Sequence, residues 1–231
     1  MSERAPSSES GLILSHGDLG PAGLLGEWLA ERGRPYQVHD VAHGPMPPLG
    51  HAPFVASLGS ERSATDASLA WVAAELELLR EAVASSVPVL GLCFGGQALA
   101  IAVGGEVARA RAPQIGWFEL SGAGVPRGPW FHWHYEQFAP PAGAEVLAYS
   151  DVGPAAFRMG PHLGLQFHPE VTVEVIEGWS RSVDQLAKVG VDPAALVAES
   201  VRRAGAARAD AWQLFDMWLA GFAGDAGRSS A

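Results

Sequence analysis

The cysteine of this chain, its only one, stands where a buried strand turns directly into a helix. Residues 87–92 form a continuous apolar run, typical of a strand buried on both faces, and helical spacing begins at Phe94. A residue at such a corner has a strained backbone, so the positions two before and two after it must lack bulk, and Gly91 and Gly95 meet that need. The corner also places the sulfur at a helix N-terminus, where the helix dipole and free N–H groups favour thiolate over thiol. Cys93 is therefore predicted to be a nucleophile, and a small buried core residue is the less favoured interpretation.

A base for this nucleophile follows a second apolar run, residues 163–167. The loops after strands at the carboxyl edge of a parallel sheet are where α/β proteins build their sites. In an extended segment, residues two apart point to the same side, so Glu170 can accept a hydrogen bond from His168 and fix its tautomer. Pro169 lies between them and disfavours helix. The spacing predicts a catalytic triad of Cys93, His168 and Glu170.

Taken together and in this order, residues 91–97 (GLCFGGQ) and 166–170 (QFHPE) resemble the class I glutamine amidotransferase family. The resemblance extends from about residue 11 to residue 171, and the helical tail resembles that of stand-alone, GMP-synthase-like members, which lack a fused synthetase domain. It implies that the triad hydrolyses the side-chain amide of glutamine through a cysteine thioester and releases ammonia. It also implies a separate ammonia-accepting synthetase as partner, and it implies no cofactor.

The same resemblance implies where the negative charge of the intermediate is received. Two backbone N–H groups would form the oxyanion hole, that of Phe94 after the nucleophile and that of Gly59 after the strand predicted at residues 53–58. Glycine at position 59 lets the backbone approach the substrate closely. The family loop often reads Gly-Gly-Pro or Gly-Pro-Gly, whereas this chain has LGSE at residues 58–61. The sequence therefore leaves open whether the hole is preformed.

Three further residues are candidates for binding the substrate. Gln97 lies four residues after Cys93 on the same helix face and matches the family glutamine that binds the amino-acid end of the substrate; the alternative is a helix-surface glutamine. Glu61 could meet the substrate ammonium, and an ordinary solvated loop acid is the alternative. Residues 131–138 resemble the family segment whose backbone near Tyr135 contacts glutamine.

The elements that must position these residues alternate between strand and helix patterns. This order predicts an α/β fold, a three-layer, flavodoxin-like sandwich with a mostly parallel central sheet and added C-terminal helices. One domain is expected over residues 11–223, with 172–223 as its helical extension, between a disordered tail at 1–10 and a flexible tail at 224–231. Period-two and continuous apolar runs predict strands at residues 11–15, 36–41, 53–58, 87–92, 106–110, 116–120, 130–133, 145–149, 155–159 and 163–167. Helical spacing predicts helices at residues 23–32, 66–85, 94–103, 172–189, 193–204 and 207–223.

Composition narrows the classes of partner and location. The formal net charge is −10, so the surface should repel phosphate backbones and anionic headgroups, and neither nucleic acid nor membrane is expected as a partner. A single cysteine allows no internal disulfide, and the first apolar run, residues 12–14, is too short for a signal-peptide core, which favours a cytoplasmic location. Four histidines could suggest a zinc site: those at positions 132, 134, 162 and 168. The chain has no second cysteine and no helical pair of histidines at metal-ligand spacing, so no metal site is expected.

Several alternatives stay open at the level of sequence. The triad does not distinguish a glutaminase from a hydrolase of other γ-glutamyl amides. Because the loop at residues 60–61 differs from the family pattern, a catalytically silent interaction subunit with the same fold is also an open alternative. Peptidase or deglycase-like enzymes share the elbow but lack the His-Pro-Glu segment. The aromatic stripe of the last helix predicts packing on its own domain, with a homodimer interface as the alternative; its members are Trp212, Phe215, Trp218, Leu219 and Phe222.

Overall fold

The computed structural model describes residues 10–18, 20–181 and 183–225, and helices are interspersed among the strands through the first two fifths of the chain, with one pair of strands in direct succession. The strands are β1 Gly11–Ser15, β2 Tyr36–Asp40, β3 Val55–Ser57, β4 Val89–Leu92, β5 Glu106–Phe118, β6 Trp130–Ala139, β7 Glu145–Ser150, β8 Gly153–Met159 and β9 His162–Leu165. The helices are α1 Gly23–Glu31, α2 Ala70–Ala84, α3 Phe94–Ala102, α4 Val173–Trp179, α5 Val183–Lys188 and α6 Pro193–Asp225. Of the tails predicted at residues 1–10 and 224–231, the structure describes residue 10 and residues 224–225, and the latter two belong to α6 instead of a flexible tail; the rest lies outside the described residues.

Seven strands form the central sheet in the order β2-β1-β3-β4-β9-β8-β7. The first five run parallel, in the 2-1-3-4-5 order of flavodoxin-like folds, and β8 and β7 add an antiparallel edge. Strands β5 and β6 pair separately as an antiparallel ribbon. The predicted mostly parallel α/β sheet is thus confirmed. Because β3, β4 and β9 are neighbours, the loops that follow them meet at one carboxyl edge.

Apolar side chains cover both faces of this sheet, which explains why its parallel strands are continuously hydrophobic. Ile13 and Leu92 point into a core shared with α1 and the second half of α6. Leu12 and Leu14 point to the other face, where α2 and α3 pack. Successive residues of a strand alternate between faces, so β1 alone contributes to two cores and divides the molecule into three layers.

Helix α6 is one continuous element of 33 residues, whereas the sequence predicts a break between two helices near Gly205. A glycine inside a helix costs about 1 kcal/mol relative to alanine, and packing at both ends outweighs it here. Leu196 is buried against the β5–β6 ribbon side, and Phe215 and Trp218 are buried against α1. The aromatic stripe therefore packs on its own domain, as predicted, as far as the side chains up to residue 220 are described.

Strand β6 runs on to Ala139, past the predicted end at residue 133, and two further predicted elements are joined or divided differently. The strands expected at residues 106–110 and 116–120 form a single β5, because an irregularity between Arg109 and Gln114 carries the ribbon past Pro113, which has no N–H to pair. The helix expected at residues 172–189 is divided into α4 and α5. Across the part of the chain that the structure describes, no helix combines the length and hydrophobicity needed to span a bilayer.

Candidate active site

Cys93 occupies the corner between β4 and α3 with a left-handed backbone, φ +52°. A Cβ at Gly91 would collide with the backbone of Gly95, and one at Gly95 would collide with the backbone of Ser57. Both glycines are therefore required for the strand-to-helix turn to close. The side chain is almost fully buried at 5% exposure, on the carboxyl edge of the sheet. Such a strained, non-glycine residue is typical of a functional corner.

His168 and Glu170 follow β9 and form a buried pair. Nδ1 of His168 is 2.7 Å from Oε1 of Glu170, and each residue is 4% exposed. The backbone N–H of His168 donates to the carbonyl of Phe131 at 2.8 Å, which ties the segment to the β5–β6 ribbon. Trp179 of α4 packs edge-on against the imidazole with ring centroids 5.0 Å apart. The orientation of the ring is thus fixed by its hydrogen bond to Glu170, by the backbone hydrogen bond to Phe131 and by its contact with Trp179.

The pairing with Glu170 leaves Nε2 of His168 for the sulfur of Cys93. Burial by itself lowers the pKa of His168, but the charges of Glu170 and Cys93 and hydrogen bonding to them raise this pKa to about 10. Nε2 forms no hydrogen bond of regular geometry within the described chain, so its approach to the sulfur is long or poorly aligned, as is common without substrate. The imidazole is therefore protonated at neutral pH and can serve as a proton donor beside the sulfur.

Gly59 lies against both of these residues. A Cβ at this position would be 2.9 Å from Cε1 of His168 and 3.9 Å from Cβ of Cys93, so only glycine fits without displacing a neighbour. The carbonyl of Leu58 accepts from the N–H of Gly95 at 3.1 Å, which joins the loop to the first turn of α3. The N–H groups of Gly59 and Phe94 donate to no protein acceptor among the described residues. Two free donors therefore remain beside the sulfur.

Gln97 is buried rather than at the helix surface, with 4% exposure. Its Nε2 donates to the carbonyl of Glu136 at 3.2 Å and to Oε1 of Gln166 at 3.3 Å. Gln166 in turn places its Nε2 3.8 Å from the sulfur of Cys93. Gln97 is therefore connected to the nucleophile through one side chain, and its contact with substrate stays a prediction.

The other two candidate substrate contacts are less firmly placed. Glu61 is exposed on the loop that follows Gly59. Tyr135 is half-buried on β6, with the guanidinium of Arg109 5.7 Å from its ring centroid. Both lie on segments that border the site, and their roles toward substrate also stay predictions.

Comparison with known proteins places these features in a family. The model of the class-I glutamine amidotransferase family matches residues 62–177, half of the chain, including Cys93, His168 and Glu170. The chain belongs to this family.

The chain is 36% identical over 102 residues to one subunit of the glutamine-hydrolyzing GMP synthase of Methanocaldococcus jannaschii, covering 39% of this chain and 54% of the relative. It is 41% identical over 97 residues to the glutamine-hydrolyzing GMP synthase of Thermomicrobium roseum, covering 38% of this chain and 18% of the relative. The chain thus spans about half the length, or less, of these relatives.

Solved structures resemble the amidotransferase over nearly its whole length. A glutamine amido transferase from Methylobacillus flagellatus superposes with a TM-score of 0.83 at 28% identity, covering 93% of this chain and 96% of that one. A glutamine amidotransferase from Thermotoga maritima gives the same TM-score at 24% identity and shows the shared fold, covering 93% and 99%. The β5–β6 ribbon and α6 are therefore part of a shared architecture rather than additions to this chain.

The amidotransferase also contains a buried polar group that sequence reasoning did not assign. His16 follows β1, and its Nε2 is 2.7 Å from Oε2 of Glu75 on α2. The carboxylate also accepts from the hydroxyl of Ser57 at 2.5 Å. The available signal was Glu75 itself, which falls three residues after Val72 and four before Leu79 on the apolar face of α2. A carboxylate at a core position requires a buried partner.

Two more buried histidines line the strand that passes the nucleophile. Nδ1 of His132 is 3.1 Å from Nε2 of His134, and Nδ1 of His134 donates to the carbonyl of Glu136 at 2.9 Å. Burial lowers the pKa of His134 to about 4 and holds that of His132 well below its ordinary value, so both are neutral. Neutral imidazoles leave His168 as the charged histidine beside Cys93. Among the described residues, no three His, Cys, Asp or Glu side chains cluster as metal ligands would.

Proposed function

We propose that this class-I glutamine amidotransferase hydrolyses the side-chain amide of glutamine through a thioester on Cys93. The observation that carries the proposal is the meeting of three parts at one buried edge. A strained cysteine stands at a helix N-terminus, a histidine lies beside it with its Nδ1 2.7 Å from a carboxyl oxygen, and the adjacent residues Gly59 and Phe94 have backbone N–H groups without a protein acceptor among the described residues. A nucleophile, an oriented acid–base group and an oxyanion hole together constitute acyl-transfer chemistry.

In the first half-reaction the Cys93 thiolate attacks the amide carbon of glutamine and forms a C–S bond. Negative charge gathers on the former carbonyl oxygen, where the N–H groups of Gly59 and Phe94 donate to it. His168, protonated beforehand, gives its Nε2 proton to the amide nitrogen, the C–N bond breaks, and ammonia leaves. Glu170 holds the imidazole ring in the orientation that this transfer needs.

In the second half-reaction the neutral imidazole of His168 takes a proton from water, which attacks the thioester carbon. The same two N–H groups receive the second oxyanion, the C–S bond breaks, and glutamate departs. The regained proton on His168 again faces a thiolate, so the resting ion pair is restored. The raised pKa of His168 fits this resting state, since the ring is protonated before substrate arrives.

Substrate recognition and the fate of ammonia complete the proposal. Gln97, whose amide nitrogen is engaged, offers its remaining carbonyl oxygen toward the amino-acid end of glutamine, the Tyr135 backbone contacts the same end, and Glu61 meets the ammonium. Ammonia passes to a separate acceptor enzyme. The relative from Methanocaldococcus jannaschii is named as one subunit of a GMP synthase, which supports a separate synthetase of that kind as the partner.

The proposal is tested by following ammonia and glutamate release from purified protein with glutamine, beside a panel of γ-glutamyl amines and peptides. Glutamine is expected to have the highest kcat/KM of the panel, and Cys93→Ala is expected to abolish turnover. A preference for another γ-glutamyl amide would reassign the substrate. No turnover of any member, with equal labelling of wild type and Cys93→Ala by a glutamine-like electrophile, would mean that the protein is catalytically silent.

A further inference from the structure

The His16–Glu75 pair lies directly behind the loop that carries Gly59, and the proposed chemistry has no use for it. The His16 side chain is 1% exposed and that of Glu75 is fully buried. Both carboxyl oxygens of Glu75 have partners, His16 at 2.7 Å and the Ser57 hydroxyl at 2.5 Å. Burying a carboxyl group costs free energy unless each of its oxygens has a hydrogen-bond partner, and here both oxygens have one, so the network is a stable part of the fold.

The second ring nitrogen of His16 reaches the loop itself. Nδ1 is 3.0 Å from the carbonyl oxygen of Gly59. A carbonyl can only accept, so Nδ1 carries a proton and donates it. This is true whether the pair is imidazolium and carboxylate, or neutral imidazole and carboxylic acid with the acid proton directed at Nε2. The hydrogen bond to Gly59 therefore does not depend on how Glu75 is protonated.

The same imidazole packs against the other residue of the proposed oxyanion hole. Its ring centroid is 4.6 Å from that of Phe94, and Trp71 covers it at 5.1 Å. His16 thus contacts both residues whose N–H groups are free beside the sulfur.

Each peptide group that flanks Gly59 is held by one hydrogen bond. The carbonyl of Leu58 accepts from Gly95, which sets the plane containing the Gly59 N–H, and the carbonyl of Gly59 accepts from His16. Glycine otherwise has more backbone freedom than any other residue, and the loop sequence LGSE contains no proline to restrict it. Rigidity at this point must come from these two hydrogen bonds to neighbouring segments.

We infer that His16, held by Glu75, is a positioning residue for Gly59. It fixes the peptide group that follows Gly59, while the hydrogen bond between Leu58 and Gly95 fixes the peptide group that carries the Gly59 N–H, so the glycine is held from both sides for the developing oxyanion. The inference rests on the proposed function and deepens it. It also answers the question left open by the loop sequence, because two hydrogen bonds from outside the loop hold the peptide groups on both sides of Gly59. Donors that are already oriented need no reorganisation in the transition state, which is why they accelerate the reaction.

Two substitutions separate the two hydrogen bonds of His16. The amide nitrogen of asparagine can replace Nδ1 and keep the donor to Gly59, whereas that of glutamine can replace Nε2 and keep only the contact with Glu75. We expect His16→Gln to lower kcat for glutamine by about 10²-fold, the cost of a displacement of about 1 Å at Gly59, with KM unchanged. His16→Asn should retain kcat within about tenfold of wild type. His51→Gln, on an exposed turn, is the matched control with wild-type turnover.

Two readouts that need no turnover accompany the kinetics. Alkylation of Cys93 by iodoacetamide passes through no oxyanion and should proceed at the wild-type rate in all variants. Amide hydrogen exchange in residues 58–61 should be faster in His16→Gln than in His16→Asn. Equal kcat in these two variants, or slow exchange in His16→Gln, would overturn the inference. A wild type that is alkylated but never hydrolyses glutamine would refute the proposed function, and exchange alone would then decide the positioning of Gly59.

Discussion

Replacement of Gly59 by alanine tests how closely the loop backbone packs against the nucleophile and base. The new Cβ would lie 2.9 Å from Cε1 of His168, against about 3.5–4.0 Å for an ordinary carbon contact. Glu170 and Trp179 hold the imidazole from the other sides, so the ring or the loop must move by roughly 0.5–1 Å. A displacement of about 1 Å costs on the order of 10²-fold in rate, or roughly 3 kcal/mol of activation free energy.

The fold should tolerate this change, which makes the test specific. Gly59 has no left-handed φ, so alanine fits its backbone, and the reduced freedom of the unfolded chain offsets part of the contact cost. We expect kcat for glutamine to fall about 10²-fold while the free energy of unfolding changes by about 1 kcal/mol or less. Gly205→Ala is the matched control: it is exposed in α6 with open space around it and should gain roughly 0.5–1 kcal/mol. Full activity in Gly59→Ala would refute the close packing of loop and triad.

Three further substitutions test individual side chains. Protonated His168 stabilises the fold fully below its ordinary pKa of 6.5, and this contribution is lost as pH rises through about 10. Glu170→Gln should lower the pKa of His168, so the difference in unfolding free energy between variant and wild type, measured by chemical denaturation, should shrink between pH 6.5 and 10. A difference that stays constant over this range would contradict the charge effect. Gln97→Met should cost roughly 1–3 kcal/mol in thermal unfolding, because the Glu136 carbonyl keeps its donor from His134 but the buried Oε1 of Gln166 loses its donor. It should also raise KM for glutamine about tenfold, and an unchanged KM would remove Gln97 from substrate binding. Glu61→Gln should leave stability within about 0.5 kcal/mol and raise KM several-fold, whereas an unaltered KM would mark an ordinary solvated acid.

The sequence predicted the parts of the fold that depend on local pattern. Strand β1 was predicted to the residue because both of its faces are buried and glycine and polar residues bound it. The corner at Cys93 followed from the two glycines around it, and the structure places that corner, His168 and Gly59 together because β3, β4 and β9 are adjacent. The parallel order of the sheet followed from the alternation of strands and helices.

What the sequence did not predict depends on contacts between distant segments. His16 and Glu75 are 59 residues apart, and only the adjacency of β1 and β3 brings the imidazole to the loop at Gly59. The continuity of α6 across Gly205 is decided by packing at its two ends, which local helix propensity does not contain. Glycine and histidine occur in many structural contexts, so residue type alone predicts neither the continuous helix at Gly205 nor the hydrogen bonds of His16.

Chemical quenching during turnover tests the central claim most directly. The protein is mixed with glutamine, stopped with acid within its first turnovers, and the peptide containing Cys93 is weighed by mass spectrometry. A γ-glutamyl thioester on that peptide, absent from Cys93→Ala and reduced when formation is slowed by His168→Ala, is the predicted result. Glutamine hydrolysis that continues in Cys93→Ala, with no adduct on the wild-type peptide, would contradict the account.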